Sequence, residues 1–415
     1  MTAATYVGAV SEPSFRDLRP IAIAAYGPVF FSAIGTGAII PVIALTARSF
    51  GASVGTSALM VALLGVGQLL GDVPAGAIAA RFGEKRALLL ASVLEFFGGL
   101  GCLLARDIGV LAASILVIGV ASSIFNLARQ SYMAVVVPVA LRARAMSTLG
   151  GVSRIGQFIG PFIGAVVILS TGIHGAYAVD MFASVAAFAL VAASTDITAG
   201  ERTGSSQQSR ASVLRSFGQH RKIFLTLGIG VMLLSAARNA RITIVPLWAA
   251  SLGLSAAHAS LIVGIAGAVD MLLFYPGGAL MDRRGRVAVA IPSMVLLGTG
   301  MIAIVFTNDF WSLVGVGVLL GIGNGIGSGL IMTLSADAAP AIGRAQFLAC
   351  WRLMSDSGAA LGPLVMSAIT IAFPLAAASV VMGLVTYVGG GWLRVYVPRY
   401  DPILLASSRR ADDQG

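Results

Sequence analysis

Ten ionisable side chains lie inside long apolar runs of this 415-residue chain, in which only 11% of the residues are charged. The runs are about 20 residues long, the length that crosses a bilayer as a helix. A charge at that depth costs at least about 2.5 kcal/mol, so such groups face a bundle interior and have a partner or a task. A carboxyl can exchange a proton there when its surroundings change. Asp180 lies near the outer end of the sixth run. The candidates for proton coupling are Asp72, Glu95, Asp270 and Asp356, and the intramembrane arginines are Arg129, Arg154, Arg238, Arg241 and Arg352.

The other reactive residue types indicate no enzyme centre. Cys102 and Cys350 are the only cysteines, and each lies inside an apolar run, so neither a disulfide framework nor a thiolate metal site is predicted. The three histidines fall in loops or at the ends of runs, and the sequence has no phosphate-binding loop. We therefore expect no catalytic residue, no cofactor and no metal.

Apolar residues make up 57% of the chain and form twelve such runs. They predict an all-α polytopic membrane protein with twelve transmembrane helices, at 21–46, 55–80, 86–105, 109–137, 144–170, 175–193, 222–249, 256–281, 286–306, 310–337, 344–372 and 374–397. Lysine and arginine concentrate in the loops of one side, which predicts that both termini are cytoplasmic. This orientation also explains the formal charge of +10 without a nucleic-acid partner. Arginine outnumbers lysine 25 to 2, which favours a bacterial inner membrane.

The second half of the chain repeats the first. A shift of 202 residues places Gly76, Arg81 and Gly83 on Gly278, Arg283 and Gly285, and it places Gly156, Gly160 and Pro161 on Gly358, Gly362 and Pro363. A polar stretch at 194–221 separates the copies. We therefore predict two pseudo-symmetric six-helix bundles, 1–193 and 222–415, the second with a short cytoplasmic tail, joined by a cytoplasmic linker at 194–221. Two such halves in one orientation are an architecture of secondary transporters.

One loop resembles a motif of the major facilitator superfamily, a glycine followed by Asp-Arg-x-Gly-Arg between the second and third spans of each half. The resemblance implies a latch that meets a neighbouring span while the cytoplasmic side is closed, whereas the plain interpretation is a positively charged inner loop. The first-half copy has Ala80 where the family usually has aspartate. The motif residues are Gly278, Asp282, Arg283, Gly285 and Arg286, and the first-half copy keeps Gly76, Arg81, Gly83, Lys85 and Arg86.

A second stretch, "GQFIGPFIGA" at 156–165, is similar to a fifth-span motif of proton-coupled drug antiporters in that superfamily. It contains Gly156, Gly160, Pro161 and Gly164, with Ala165 at the place of the last glycine. Small residues four apart let helices approach closely in any membrane bundle, which is a packing role. The proline could instead let the span bend between two transport states. The sequence leaves both interpretations open.

The resemblance also implies which charges meet. In the superfamily, span two faces span eleven and span five faces span eight. Counting at about 1.5 Å per residue, Asp72 and Arg352 lie at one depth and Arg154 and Asp270 at another, which predicts two ion pairs across the halves. Such pairs would hold the cytoplasmic side shut. In the alternative, Arg352 pairs with Asp356 one helical turn away and only fixes packing.

We therefore expect an alternating-access transporter, not an enzyme, that exports small amphiphilic molecules or drugs against inward proton flow. The alternative is a proton-coupled symporter or a uniporter that takes up a sugar or metabolite. The fifth-span motif favours export. The expected partners are a small-molecule substrate and the lipid bilayer, and the protein is expected to act as a monomer.

Overall fold

A computed structural model describes residues 19–137, 139–194, 210–340 and 343–401. Within these ranges the chain is helical and contains no strand. The first half contains α1 (Arg19–Ser49), α2 (Val54–Phe82), α3 (Glu84–Leu104), α4 (Ile108–Val136), α5 (Val139–Thr171) and α6 (Gly175–Ala193). The second half contains α7 (Arg210–Gln219), α8 (Arg221–Ile223), a π-helical turn (Phe224–Gly228), α9 (Ile229–Ser251), α10 (Ala256–Arg284), α11 (Val287–Ala303), α12 (Phe310–Gly327), α13 (Leu330–Ala338), α14 (Arg344–Ala372) and α15 (Leu375–Tyr396).

Eleven helical segments in the described ranges are long and apolar enough to cross a membrane, with α8 and α9 forming one of them and α12 and α13 another. The remaining long helix, α14, has 29 residues but carries Arg352 and Asp356 and is not among them. It packs against α2 and α9, where polar side chains can face protein and not lipid. The predicted fold class, an all-α membrane protein with twelve transmembrane helices in two six-helix bundles, is confirmed.

The helix starts carry the internal repeat. Ser53 and Ser255 cap α2 and α10, and Asp107 and Asp309 cap α4 and α12. Each side chain accepts a hydrogen bond from the backbone N–H three residues later, which satisfies one of the free donors at a helix start. Both pairs of capping residues are related by the 202-residue shift, so the duplication extends to the local signals that set helix boundaries.

The loop motif contains the matching stop signals. Gly83 ends α2 with a φ of 83°, and Gly285 ends α10 with a φ of 88°. Each donates its N–H to the carbonyl four residues earlier. Residues with a Cβ rarely adopt a positive φ, whereas glycine adopts it without steric cost. These two glycines are therefore needed for the turn itself.

Within each half, the first helix packs against the fifth along glycines. A Cβ on Gly160 would lie 2.8 Å from the backbone nitrogen of Ala38, which joins α5 to α1. A Cβ on Gly362 would lie 3.1 Å from the backbone nitrogen of Ala240, which joins α14 to α9. Both members of these contacts are related by the 202-residue shift. The two halves therefore use one packing solution twice.

The halves meet along two antiparallel helix pairs, α2 with α14 and α5 with α10. Gly65 lies against Ala360 in the first pair, and Gly267 lies against Phe158 in the second. These contacts occupy equivalent positions under the same shift. Gly83 and Gly285 lie at one end of the bundle, which we call the linker end. The predicted linker begins there, since Lys85 Nζ, two residues after Gly83, donates to the carbonyl oxygen of Ser194 over 2.5 Å.

The predicted linker, 194–221, falls largely outside the described residues, since 195–209 are not described. Its last part is not an extended linker but contains α7, which packs against α14. The rings of Phe217 and Phe224 stack with centroids 5.1 Å apart. The exact boundaries of the two predicted halves therefore stay a prediction.

Candidate functional site

The first charged cluster joins α2 and α4 to α14. Arg352 Nη2 lies 3.3 Å from Asp72 Oδ1, and Arg352 Nε lies 3.3 Å from Asp356 Oδ2. Ser123 also donates a hydrogen bond to Asp72 Oδ1. Arg129 of α4 lies close enough to Arg352 for their charges to repel, and its Nε is buried without a hydrogen-bond partner. One guanidinium thus binds two carboxylates that come from different halves.

The second cluster joins α5 to α10 and α12. Arg154 Nη1 lies 3.7 Å from Asp270 Oδ1 and donates to Ser328 Oγ over 3.0 Å. Ser328 in turn donates to Asp270 Oδ1 over 3.0 Å, and Asn324 Nδ2 donates to Asp270 Oδ2 over 2.5 Å. The Arg154 guanidinium also lies over the ring of Phe274, 4.3 Å from its centroid. Each oxygen of Asp270 therefore accepts a hydrogen bond, and Arg154 reaches it from the other half.

Both ion pairs predicted from sequence are confirmed as contacts. The alternative contact is present as well, because Arg352 binds Asp72 and Asp356 at once. The two interpretations of Arg352 are therefore compatible in the structure. The role of the pairs as a gate stays a prediction.

A cavity of about 100 Å³ lies between the halves, next to the second cluster, and is bounded by α1, α5, α9, α10 and α12. Its polar lining consists of Arg154, Gln157, Arg241 and Asp270. The remainder of its wall is apolar side chains, glycine and proline. A mainly apolar wall with a few convergent polar groups is typical of a small-molecule site.

The two arginines of α9 differ in their surroundings. Arg238 Nη2 donates to the carbonyl oxygen of Gly327 over 2.5 Å, at the last residue of α12. Arg241 lines the cavity, and its Nε is buried without a hydrogen-bond partner. Among the described residues no carboxylate lies within 4 Å of either guanidinium, although both interact with Asp270 at longer range.

Glu95 and Asp180 lie away from the cavity, inside the first half. Glu95 on α3 is 1% exposed and Asp180 on α6 is fully buried. Ser32 Oγ donates to Glu95 Oε2 over 3.5 Å, and a Cβ on Gly99 would lie 3.0 Å from Asp180 Oδ2. Within the described part of the chain, the other Glu95 oxygen and both Asp180 oxygens have no hydrogen-bond partner. Glu95 and Asp180 lie close enough for their charges to interact, and among the described residues no basic side chain forms an ion pair with either acid.

The second-half loop motif is held by residues that sequence reasoning missed. Arg286 Nε lies 2.8 Å from Asp337 Oδ2, and the Arg286 backbone N–H donates to Asp401 Oδ2 over 2.6 Å. The hydrogen bond with Asp337 raises the pKa of Arg286. Asp282 is 76% exposed and lies 3.9 Å from Arg286 one turn away. Arg283 is exposed, and a Cβ on Gly278 would meet no neighbour.

The first-half loop is held differently. Lys85 Nζ donates to the carbonyl oxygens of Ser194 and Ala192, which ties the start of α3 to the end of α6. Arg81 lies over the ring of Phe82, 5.4 Å from its centroid. Gly76 and Arg86 are exposed. The side chain of Ala80 is not among the described ones.

The fifth-span motif packs inside the first half. A Cβ on Gly156 would lie 2.7 Å from that of Ala33, and Gly160 and Gly164 lie against Ala38. Pro161 lies within a continuous α5 and lines the cavity. The packing interpretation of the glycines is confirmed as a contact, and bending at the proline stays a prediction.

Two cavity-side residues, Asn324 and Ser328, were also missed. Asn324 lies on α12 and Ser328 follows its last residue directly, and both side chains bond Asp270. Their spacing of four residues was the available signal, but both stand in a glycine-rich run, "GIGNGIGSG", where small polar residues are typical of helix packing.

Comparison with known proteins gives a consistent assignment. The family model of the Major Facilitator Superfamily matches residues 29–227 and 227–411. The quinolone resistance protein NorA of Staphylococcus aureus (strain COL) is 24% identical over 314 residues, 72% of this chain and 76% of that protein. Multidrug resistance protein 2 of Bacillus subtilis (strain 168) is 29% identical over 190 residues, 45% of each chain. The putative metabolite transport protein YwtG of the same organism is 36% identical over 99 residues, and the chain covers only 22% of its length.

Solved structures share the fold. A D-xylose-proton symporter has a TM-score of 0.70 at 15% identity, covering 91% of this chain and 98% of its own. A POT family transporter in complex with a thioalcohol conjugated peptide has a TM-score of 0.75 at 13% identity, covering 91% and 96%. At these identities the likeness concerns the fold alone.

Proposed function

Because the chain belongs to the Major Facilitator Superfamily, we propose that this membrane transporter exports small amphiphilic molecules by alternating access in exchange for protons. The relatives named for quinolone and multidrug resistance support export of toxic compounds. The proposal places the chain in a bacterial inner membrane, as a monomer with both termini in the cytoplasm. No cofactor is required, since the proton is the coupling ion.

The observation that carries the proposal is the pair of ionic contacts across the halves, Asp72 with Arg352 and Arg154 with Asp270. Alternating access requires the halves to separate on one side of the cavity while they close on the other. Charged contacts at this interface are discrete links that can break and reform. They therefore offer a two-state element that a proton or a substrate can bias.

Proton coupling requires a carboxyl whose proton affinity differs between the two access states. A proton on Asp72 would cancel its charge and remove one of the two partners of Arg352, which weakens the link between α2 and α14. A proton on Asp270 would act likewise on Arg154. Asp356 and Glu95 are the other candidates, the first because it shares Arg352 and the second because it faces another buried acid.

The test is transport into inside-out membrane vesicles that contain the protein. A panel of fluorescent amphiphiles is presented with an imposed acid-inside pH gradient, and accumulation is measured before and after nigericin collapses the gradient. We expect at least one compound to accumulate only while the gradient exists. Vesicles containing Arg352→Gln serve as the control and should show a strongly reduced rate at equal protein content.

Two outcomes would contradict the proposal. Accumulation that is insensitive to nigericin would remove proton coupling. Gradient-dependent uptake into right-side-out vesicles, with none into inverted ones, would instead establish the alternative, a proton-coupled uptake system for a sugar or metabolite. Movement of no compound in either orientation would count against transport of amphiphiles altogether.

A further inference from the structure

The second cluster holds more positive than negative charge. Around the cavity, the described ionisable groups are three guanidiniums, of Arg154, Arg238 and Arg241, and one carboxylate, of Asp270. The first cluster differs, because its two arginines are matched by Asp72 and Asp356. Uncompensated charge at membrane depth is costly, so the excess calls for an explanation.

Two of the three arginines have protein partners. Arg154 binds Asp270 and lies over Phe274. Arg238 donates to the Gly327 carbonyl at the end of α12, where the helix dipole presents partial negative charge. Contacts within the protein therefore satisfy both side chains.

Arg241 has no such partner. It lines the cavity, its Nε is buried without a hydrogen bond, and none of the described residues forms an ion pair with it. The single described carboxylate of the lining, Asp270, is already bound by Asn324, Ser328 and Arg154. A guanidinium presents a planar set of donors that matches a carboxylate, phosphate or sulfonate group. Arg241 is therefore available to a ligand.

We propose that Arg241 binds the acidic headgroup of the substrate, so that the transported compounds are amphiphilic organic anions. The cavity volume of about 100 Å³ is well above the roughly 10 to 15 Å³ that a single water needs on the same measure, which leaves room for a headgroup. Apolar side chains line the same space and can hold the body of the ligand, among them Phe158, Ile242, Val263, Met271 and Leu320. This inference names the substrate class of the proposed transporter and rests on that function.

The inference also restricts the coupling site. Protonation of Asp270 would remove the negative charge of the lining and increase the attraction for an anion, so proton and substrate would bind together. Exchange requires the opposite relation. In an exporter of anions, the coupling carboxyl must therefore lie outside the cavity, which leaves Asp72, Asp356 and Glu95.

The test is equilibrium binding to the purified full chain in detergent, measured by calorimetry and by thermal shift. Three ligand sets are used, each with an acid, its neutral amide and the corresponding amine: benzoate, 1-naphthoate and octanoate with their counterparts. We expect at least one acid to bind about tenfold tighter than its amide and its amine.

Variants identify the side chain responsible. Arg241→Gln should reduce the preference for the acid to about twofold or less, whereas Arg241→Lys, which keeps the charge, should retain most of it. Arg129→Gln is the matched control, because Arg129 is also buried with an unpartnered Nε but does not line the cavity. It should keep the preference. Asp270→Asn should increase the affinity for the acid several-fold, where a purely structural role predicts a decrease.

The inference is overturned if no acid in the three sets binds tighter than its amide, or if Arg241→Gln keeps the tenfold preference. Because binding needs no transport, the outcome is separable from the proposed function. If the protein binds acids but transports nothing in vesicles, the proposed export function is wrong and the proposed Arg241 site stands. If it transports only amides or amines, the export function stands and the proposed preference for anions is wrong.

Discussion

Arg352 and Asp72 should not be equivalent, although they form one ion pair. Replacing Arg352 by Gln leaves two carboxylates, those of Asp72 and Asp356, side by side without their shared cation. Replacing Asp72 by Asn leaves the Arg352–Asp356 contact intact, and Ser123 can still hydrogen-bond the amide. We therefore expect Arg352→Gln to be much more damaging than Asp72→Asn.

The magnitude follows from distance and burial. Unit charges 3.3 Å apart interact by about 5 kcal/mol at an effective dielectric constant of about 20, which is an upper limit on the net effect. The side chains of Arg352 and Asp72 are 31% and 12% exposed, between a surface pair and a buried one. Loss of the cation from the two acids should cost about 3 to 5 kcal/mol. Loss of one of its two carboxylates should cost about 1 kcal/mol.

The assay is the free energy of unfolding of the purified protein in mixed micelles with increasing dodecyl sulfate. A second measurement is crosslinking between one cysteine at the linker end of α2 and one at the start of α14, in a chain whose Cys102 and Cys350 are replaced by Ala. Arg352→Gln should lower the crosslinking yield, because the linker end opens. The double variant Asp72→Asn with Arg352→Gln should be less destabilised than the two single costs predict, by more than about 0.5 kcal/mol.

The reasoning is refuted if the two single variants cost the same, or if their effects simply add. The Arg286–Asp337 contact provides the control, because it is 2.8 Å long and joins elements of the second half only. Arg286→Gln should lower the free energy of unfolding and leave the α2–α14 crosslinking yield unchanged. A fall in that yield would mean that crosslinking reports general instability and not the link between halves.

Three further changes probe the remaining motifs. Gly160→Leu should lower the free energy of unfolding by about 1 to 3 kcal/mol and impair transport, because a side chain there meets the α1 backbone. The control is Gly150→Leu on the same helix, where a Cβ meets nothing within 4 Å, and it should leave the free energy of unfolding unchanged. Asp337→Asn should lower the vesicle transport rate more than Asp282→Asn, since Asp337 bonds Arg286 closely and Asp282 is exposed. Equal rates would favour the plain interpretation, in which the positive loop only sets the orientation of the chain in the membrane. Glu95→Gln should keep the free energy of unfolding within about 1 kcal/mol, because it removes one of two facing acids without burying an extra charge; a loss above about 2 kcal/mol would show that the ionised carboxylate is needed.

The helices and the depths of the paired charges could be predicted from the sequence because each depends on a regular pattern, whereas the facing of span two with eleven and of span five with eight came from the resemblance to the superfamily. A transmembrane helix rises by a constant step, so counting residues from a charged loop fixes the depth of Asp72 or Arg352. Glycine at the end of α2 and α10 is a local signal, because a left-handed residue stops a helix whatever surrounds it. Depth and a glycine stop signal require no knowledge of tertiary contacts, but the partner of each charge does.

The contacts that could not be predicted join distant residues without any periodicity. Arg286 lies 51 residues from Asp337 and 115 from Asp401, and no spacing rule relates them. The partial helix in the predicted linker was hidden by composition, because α7 is polar overall, and its contacts, Phe217 on Phe224 and Ser216 with Cys350, follow no spacing rule. Arg241 shows the opposite limit: an intramembrane arginine is conspicuous in the sequence, but only the structure shows that no described residue forms an ion pair with it.

The repeat also shows where the chemistry had to diverge. Gly160 and Gly362 recur in both halves because a Cβ has no room at either helix contact. Most charged positions inside the helices do not recur: the 202-residue shift places Asp72 on Phe274 and Arg241 on Ile39, and it places Arg154 on Asp356, which carries the opposite charge. Packing is therefore symmetric while the field in the cavity is one-sided, with its unpaired cation on α9. An amphiphilic anion in that field has one favoured orientation, its acid towards α9, which a pseudo-symmetric wall of apolar residues alone would not impose.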